Sequence, residues 1–281
     1  MNIARSIVCA TALLGASSMV SAAPIGFSIS DANRTLYSID LANGAATAQG
    51  VINYAVDDDL EGLASINGVL FAVSEANNGA GTLWNVTTPP GTQIGTNSRF
   101  GTEAGAAYSS SNGILYNIQG DDLAAGVRSA LYSINPANGA ATLLGTSQTY
   151  ADGLAINTAG EAFASDFQLT DSLYRVNLAD GGLTLVGNLG IGNVAFDSGL
   201  AFDSDGTLYA LREDGVIYTI NTGTGAATFR AFVTAGGVRV PGDLEGLDIP
   251  AQSLSVPEPA SMAILGLGLA GLLATRRRGV G

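Results

Sequence analysis

The sequence predicts an all-β chain in which one short four-stranded unit is repeated, and three observations carry that reading. A five-residue segment with an aromatic at its second position occurs five times: Leu36-Tyr37-Ser38-Ile39-Asp40, Leu83-Trp84-Asn85-Val86-Thr87, Leu131-Tyr132-Ser133-Ile134-Asn135, Leu173-Tyr174-Arg175-Val176-Asn177 and Ile217-Tyr218-Thr219-Ile220-Asn221. A second segment also occurs five times: Gly62-Leu63-Ala64, Gly105-Ala106-Ala107, Gly153-Leu154-Ala155, Gly199-Leu200-Ala201 and Gly246-Leu247-Asp248. The starts of the first segment lie 47, 48, 42 and 44 residues apart, with glycine-bearing turns in every interval.

Taken in chain order, each unit resolves into strands. The aromatic segment alternates its side chains with period two, as a strand requires. A turn follows each copy, Asn43-Gly44, Pro90-Gly91, Asn138-Gly139, Asp180-Gly181 or Thr224-Gly225, and then a short run such as 141–144 or 183–186. Such turns between two strands make hairpins. In four units the Gly-Leu-Ala-type segment leads through Asn67-Gly68, Asn112-Gly113, Ala159-Gly160 or Asp205-Gly206 into a further strand, such as 69–73 or 207–211. Four short strands in about 45 residues is the period of a β-propeller blade.

The ends of the repeat region complete the count. Residues 25–30 match the second strand of a unit and lack a first, whereas 243–249 match a first strand and lack the rest. Together they make one blade, and joining them removes a free sheet edge. The sequence therefore predicts a five-bladed β-propeller closed by its C-terminal strand. An open array of sheets is the competing arrangement, and it leaves two half-blades unexplained. The third unit departs from the others at Ala104 and Ala106 and carries an insertion at 120–129. Trp84 and the second-position tyrosines are expected to pack between blades rather than to form a ligand platform.

The expected organisation is a signal peptide at 1–22, the propeller at 23–250, a linker at 251–255 and a sorting tail at 256–281. Arg5, an apolar run at 7–20 and then Ser21, Ala22 and Ala23 form a secretory signal cleaved after Ala22. The single cysteine, Cys9, lies inside it, so the mature chain is expected to have no disulfide and to rely on its core. The other end reads Val256-Pro257-Glu258-Pro259-Ala260-Ser261, an apolar stretch to Ala274, then Arg276, Arg277 and Arg278. The stretch from Ala260 to Ala274 is shorter than the roughly 20 residues a helix needs to span hydrocarbon, so it reads as a short hydrophobic helix and a transient anchor. The arginines would hold its tip on the cytoplasmic side. An ordinary tail anchor is the other reading.

This order of Pro-Glu-Pro, glycine-rich apolar stretch and basic cluster resembles the PEP-CTERM sorting signal, also labelled an ice-binding protein C-terminal domain. The resemblance implies export from a Gram-negative-type cell, with cleavage by signal peptidase. It further implies recognition by an exosortase-type processing enzyme, removal of the tail, and delivery to the cell surface or an exopolysaccharide matrix.

Composition narrows the chemistry. Between residues 24 and 255 stand 23 acidic residues against seven arginines, and the whole chain has no histidine and no lysine. Such a body repels nucleic acid and anionic lipid. Ser-His-Asp and Cys-His machinery, histidine-ligated zinc, a lysine Schiff base and a Walker lysine are all excluded. Carboxylates, hydroxyls, arginine, backbone and hard cations remain.

Asp59, Glu61, Glu103, Asp152, Asp197, Asp243 and Glu245 stand just before the recurring glycine. The first strand of a blade lines the central channel, so these side chains are expected to converge near one mouth. Converging carboxylates need a counter-charge, and Ca²⁺ with its oxygen ligands is the natural candidate. The alternative is that they cap turns or face water, as Asp57-Asp58-Asp59 and Asp121-Asp122 read on their own. The acid before Gly-Leu-Ala, and Asp203-Ser204-Asp205-Gly206-Thr207-Leu208-Tyr209, are similar to calcium-dependent lactonase and gluconolactonase propellers. That resemblance implies Glu61 or Asp152 as general base beside a metal-activated water. Those enzymes usually have six blades, and several use a histidine that this chain lacks.

Two functions follow from these readings. The first is an exported binding or structural propeller whose partner is an extracellular polysaccharide or a surface protein, with Ca²⁺ in the channel mouth. The second is a Ca²⁺-dependent lactonase or esterase-type hydrolase. An antifreeze surface would need flat, regular threonine rows, which the repeats do not show.

Overall fold

A computed structural model describes residues 23–250 apart from 55–58, 75–80, 98–102, 121–125, 193–196 and 241. The signal peptide, the linker at 251–255, the sorting tail and Asp57, Asp58, Asp121 and Asp122 lie outside the described residues.

The chain opens with β1 (Ile25–Ser30), β2 (Thr35–Asp40) and β3 (Ala46–Val51). The second blade is β4 (Leu60–Ile66), β5 (Val69–Ser74), β6 (Gly81–Asn85) and β7 (Thr92–Asn97). The third is β8 (Glu103–Ser109), β9 (Ile114–Gly120), β10 (Ser129–Ile134) and β11 (Ala141–Ser147). The fourth is β12 (Gly153–Ile156), β13 (Ala162–Asp166), β14 (Ser172–Val176) and β15 (Leu183–Asn188). The fifth is β16 (Ser198–Phe202), β17 (Leu208–Arg212), β18 (Val216–Ile220) and β19 (Ala227–Phe232). A small hairpin, β20 (Thr234–Ala235) and β21 (Val238–Arg239), precedes the last strand, β22 (Leu244–Asp248).

β22 completes the first blade, whose strand order is β22-β1-β2-β3. The ladder pairs Phe27 with Asp248 and Ser30 with Leu244, antiparallel. The inner strands β22, β4, β8, β12 and β16 touch one another in that order and back to β22. The arrangement is a five-bladed propeller closed by its C-terminal strand.

The core lies between blades. Each of five buried clusters joins two neighbouring sheets, as where Ile29, Leu36 and Ile52 of the first blade meet Leu60, Leu70 and Trp84 of the second. The recurring aromatic segment is the third strand of every blade, and Tyr37, Trp84, Tyr132, Tyr174 and Tyr218 are all buried. The Trp84 indole N–H donates to Thr82 Oγ1 at 2.8 Å, which satisfies its one polar atom. These aromatics are packing residues.

A bulge recurs at one place in each blade. The third-strand Leu or Ile faces an outer-strand residue after the register has shifted by one: Gly50, Gly95, Gly145, Gly187 and Ala231. A Cβ on Gly95, Gly145 or Gly187 would run into the carbonyl of Asn138, Asp180 or Thr224, in the turn of the next blade. The glycine is therefore the seat into which the neighbouring blade locks.

Candidate metal centre at the channel mouth

The inner strands approach so closely that side chains cannot fit between them. A Cβ on Gly62, Gly105, Gly199 or Gly246 would meet the backbone of the next inner strand around the ring. One residue further along, Leu63, Ala106, Leu154, Leu200 and Leu247 are buried and floor the channel. The residues just before the glycines stand above that floor.

There the acidic residues converge. In the first, second and fourth blades the residue next to the glycine carries the carboxylate, namely Glu245, Glu61 and Asp152. In the third and fifth that position holds Ala104 and Ser198, and the carboxylate comes one residue earlier, from Glu103 and Asp197. All five carboxylates line one cavity of about 10 Å³, roughly the space a single water-sized sphere occupies. Asp59 and Asp243 stand three residues before their glycines and do not line it; the Asp243 side chain is exposed, while its carbonyl accepts the Asp31 N–H at 2.9 Å.

Glu213, which the repeat pattern did not single out, joins the cluster from the turn between β17 and β18. Carboxylate oxygens of Glu103, Asp197 and Glu213 all lie within 4.8 Å of one another. The guanidinium of its neighbour Arg212 is engaged by Asp214 at 2.6 and 2.7 Å. Among the described residues the ion pairs are Arg212–Asp214 and Arg175–Glu161, and neither lies in the cavity.

Hydrogen bonding shows how the charge is distributed. Asp152 is 3 % exposed; one carboxylate oxygen accepts the Gly153 N–H at 2.5 Å and the other, Oδ2, is buried without a donor. The Asp197 carboxylate faces it, so that contact becomes a hydrogen bond only if one of the two carries a proton. Asp197 Oδ1 accepts from Gln168 Nε2 and from the Tyr150 hydroxyl.

Burial pushes Glu103 up to about 11 and Glu213 up to about 8, with the Asp197 charge adding to both. Asp152 and Glu245 are driven up by burial and by neighbouring carboxylates. Burial also opposes ionisation of Asp197, but hydrogen bonds from Glu103, Asp152, Gln168 and Glu213 outweigh it and hold Asp197 low. Without a cation, Asp197 is held as a carboxylate among Glu103, Asp152, Glu213 and Glu245, whose proton affinity burial raises. A hard divalent cation replaces bound protons with a compensating charge and prefers oxygen ligands. The clustered carboxylate oxygens of Glu103, Asp197 and Glu213, with Asp152 beside them, are a donor set that fits Ca²⁺.

The fold and site define a propeller with a closed floor and an acidic mouth. Residues 255–278 match the PEP-CTERM protein-sorting motif. The motif marks an exported chain, sorted through a membrane-anchored stage by an exosortase-type enzyme before release at the surface. Among the described residues no helix is long and apolar enough to cross a membrane. No curated protein matches the chain. The propeller is similar to a chain of a nidogen/laminin complex, at 9 % identity over 80 % of this chain and 97 % of that one, with a TM-score of 0.47. It is also similar to a protein assigned to the gluconolactonases, at 16 % identity over 78 % and 79 %, with a TM-score of 0.47. A third similarity is to hydrazine synthase of Kuenenia stuttgartiensis, at 12 % identity over 72 % and 63 %, with a TM-score of 0.42.

Proposed function

We propose that this is an exported, surface- or exopolysaccharide-matrix-associated binding propeller whose channel mouth holds Ca²⁺. Glu103, Asp152 and Asp197 are its principal ligands, with Glu213, Glu61 and Glu245 around them. The observation that carries the reading is the convergence of carboxylate oxygens of Glu103, Asp197 and Glu213 within 4.8 Å of one another, beside the buried Asp152 carboxylate. Calcium takes six to eight oxygens, so an ion seated at the mouth keeps positions for hydroxyl or carboxylate oxygens of a polysaccharide or a surface protein.

The alternative, a Ca²⁺-dependent lactonase or esterase with Glu61 or Asp152 as base, needs substrate room beside the ion. Among the described residues the cavity of about 10 Å³ above the floor of Leu63, Ala106, Leu154, Leu200 and Leu247 has room for an ion, so a substrate would have to lie outside it, over the mouth.

Metal content and thermal unfolding of the purified exported chain test the proposal. Calcium should copurify or raise Tm, and Asp152→Asn and Glu103→Gln should each abolish the rise. An ion that binds the native state at 100 times its Kd adds about 2.7 kcal/mol, so the shift is readily measured. A Tm that ignores both calcium and chelator would sink the proposal.

A further inference from the structure

The two ends of the propeller leave from one face. β22 begins at the carboxylate mouth, beside Glu245, and runs away from it, while β1 returns antiparallel with Phe27 beside Asp248 and Ser30 beside Leu244. Pro24 and Pro250 therefore emerge opposite the mouth, Pro250 from an innermost strand near the axis. The turns that join first to second strands, including those at 157–161 and 203–207, open on that same far face.

Chain length converts this placement into an orientation. From Pro250 to Ala260, where the apolar stretch begins, the chain can reach at most about 35 Å when fully extended. Four strands at about 4.8 Å spacing put the rim roughly 20 Å from the axis, and the inner strands make the disc about 20 Å thick. A tether leaving the inner strand would have to cross three strand spacings, about 14 Å, and then the full thickness, about 34 Å in all, so the mouth could lie on a bilayer only with the tether almost fully extended.

We infer that, while the tail anchors the chain, the propeller rides on the bilayer with its first-to-second-strand turns toward lipid and its carboxylate mouth facing away. The mouth is thus presented to ligands before the tail is removed. The inference rests on the tail serving as an anchor and is independent of calcium.

The test uses the full chain with its tail, after signal removal, reconstituted into phosphatidylcholine–phosphatidylglycerol vesicles. Once Cys9 leaves with the signal the chain has no cysteine, so single labels are unambiguous. Ala159→Cys and Ser204→Cys place a bimane fluorophore on the turn face; Ala32→Cys and Leu169→Cys place it on the mouth face, and all four positions are exposed. A spin label on the lipid headgroups should quench the turn-face pair at least roughly twofold more than the mouth-face pair, since the faces are about 20 Å apart. Equal quenching in vesicle-bound protein, or stronger quenching at Ala32→Cys and Leu169→Cys, would overturn the orientation and leave the anchor standing. Protein that separates from the vesicles on flotation would overturn both.

Discussion

Asp152 and Asp197 face each other in a chain with no lysine and no histidine, and among the described residues neither makes an ion pair, so a proton or a metal ion is left to meet their charge. This makes stability depend on pH in a defined direction. Glu213 has an ordinary value of 4.5 and is pushed up to about 8 in the fold by burial and by Asp197. A carboxyl whose folded value is raised binds its proton more tightly in the fold. Its contribution is therefore fully present below the unfolded value and is lost as pH rises through the folded one. Cation-free protein should accordingly melt at a lower temperature near pH 9 than near pH 6, and Glu213→Gln should remove the part of that slope below about pH 8 that Glu213 supplies, leaving the part from Glu103, Asp152 and Glu245. Saturating calcium should reverse the loss, because ionised carboxylates are what the ion binds. Melting curves across this pH range, with chelator and with calcium, check both statements; a cation-free Tm that rises toward pH 9 would contradict them. The sequence made five of the six mouth carboxylates legible, because Glu61, Glu103, Asp152, Asp197 and Glu245 precede a recurring glycine by one or two residues. Asp59 and Asp243 share the pattern but stand one step too far out. Glu213 belongs to a second pattern, the residue directly after a blade's second strand, which is also acidic at Asp31, Glu75 and Asp121; only the ring geometry shows that Glu213 reaches Asp197.

A blade is held to its neighbour by a glycine on its outer strand. At Gly145 the Cβ direction is occupied by the carbonyl of Asp180, whose turn is fixed by the Asn177 side chain accepting the Ala179 N–H at 3.1 Å. The equivalent Asp40, Asn135 and Asn221 accept from Ala42, Ala137 and Gly223 at 2.9 Å, so four of the five turns share one geometry and can seat alike. Gly145→Ala should push that turn away and cost roughly 1–3 kcal/mol, the usual range for overpacking. Urea unfolding of Gly145→Ala and Gly187→Ala should show lower midpoints of similar size; unchanged midpoints would mean that the blades are not locked here. The four-strand period, the hairpins and the buried aromatics were readable because each repeats locally with strand periodicity. The bulge and the seat were not, since the partner of each glycine is a carbonyl in the following unit, more than thirty residues away. The hairpin of β20 and β21 was also missed, because it occurs once and has no counterpart against which to align.

At the level of the ring, closure depends on β22, which brings strand pairing to β1, Glu245 to the mouth and Leu247 to the floor. The seam between fifth and first blades has further ties. The Thr234 N–H donates to the Gly44 carbonyl at 2.9 Å, and Tyr37, Leu41, Leu211, Val233 and Leu247 pack in one cluster. The Ser65 N–H reaches Asp248 across to the second blade at 3.1 Å. The contribution of chain crossing can be separated from that of packing, because Pro250 and Pro24 leave side by side at the end where other blades make their first turn. Moving residues 243–250 ahead of Pro24 through a short Asn-Gly turn gives the first blade four consecutive strands and leaves every side chain where it was. What changes is that the last strand no longer belongs to the first blade, so among the described residues the seam packing, the Thr234 contact and the Leu244 N–H bond to the Glu213 carbonyl at 2.9 Å hold the ring shut. The permuted chain should keep the calcium-induced rise in Tm, since the mouth is intact, and should unfold at a urea midpoint lower by about 1 M if crossing is worth roughly 2 kcal/mol. Loss of the calcium response with folding retained would mean that β22 is seated differently. An unchanged midpoint would assign closure to side-chain packing between the blades, with the strand crossing adding nothing.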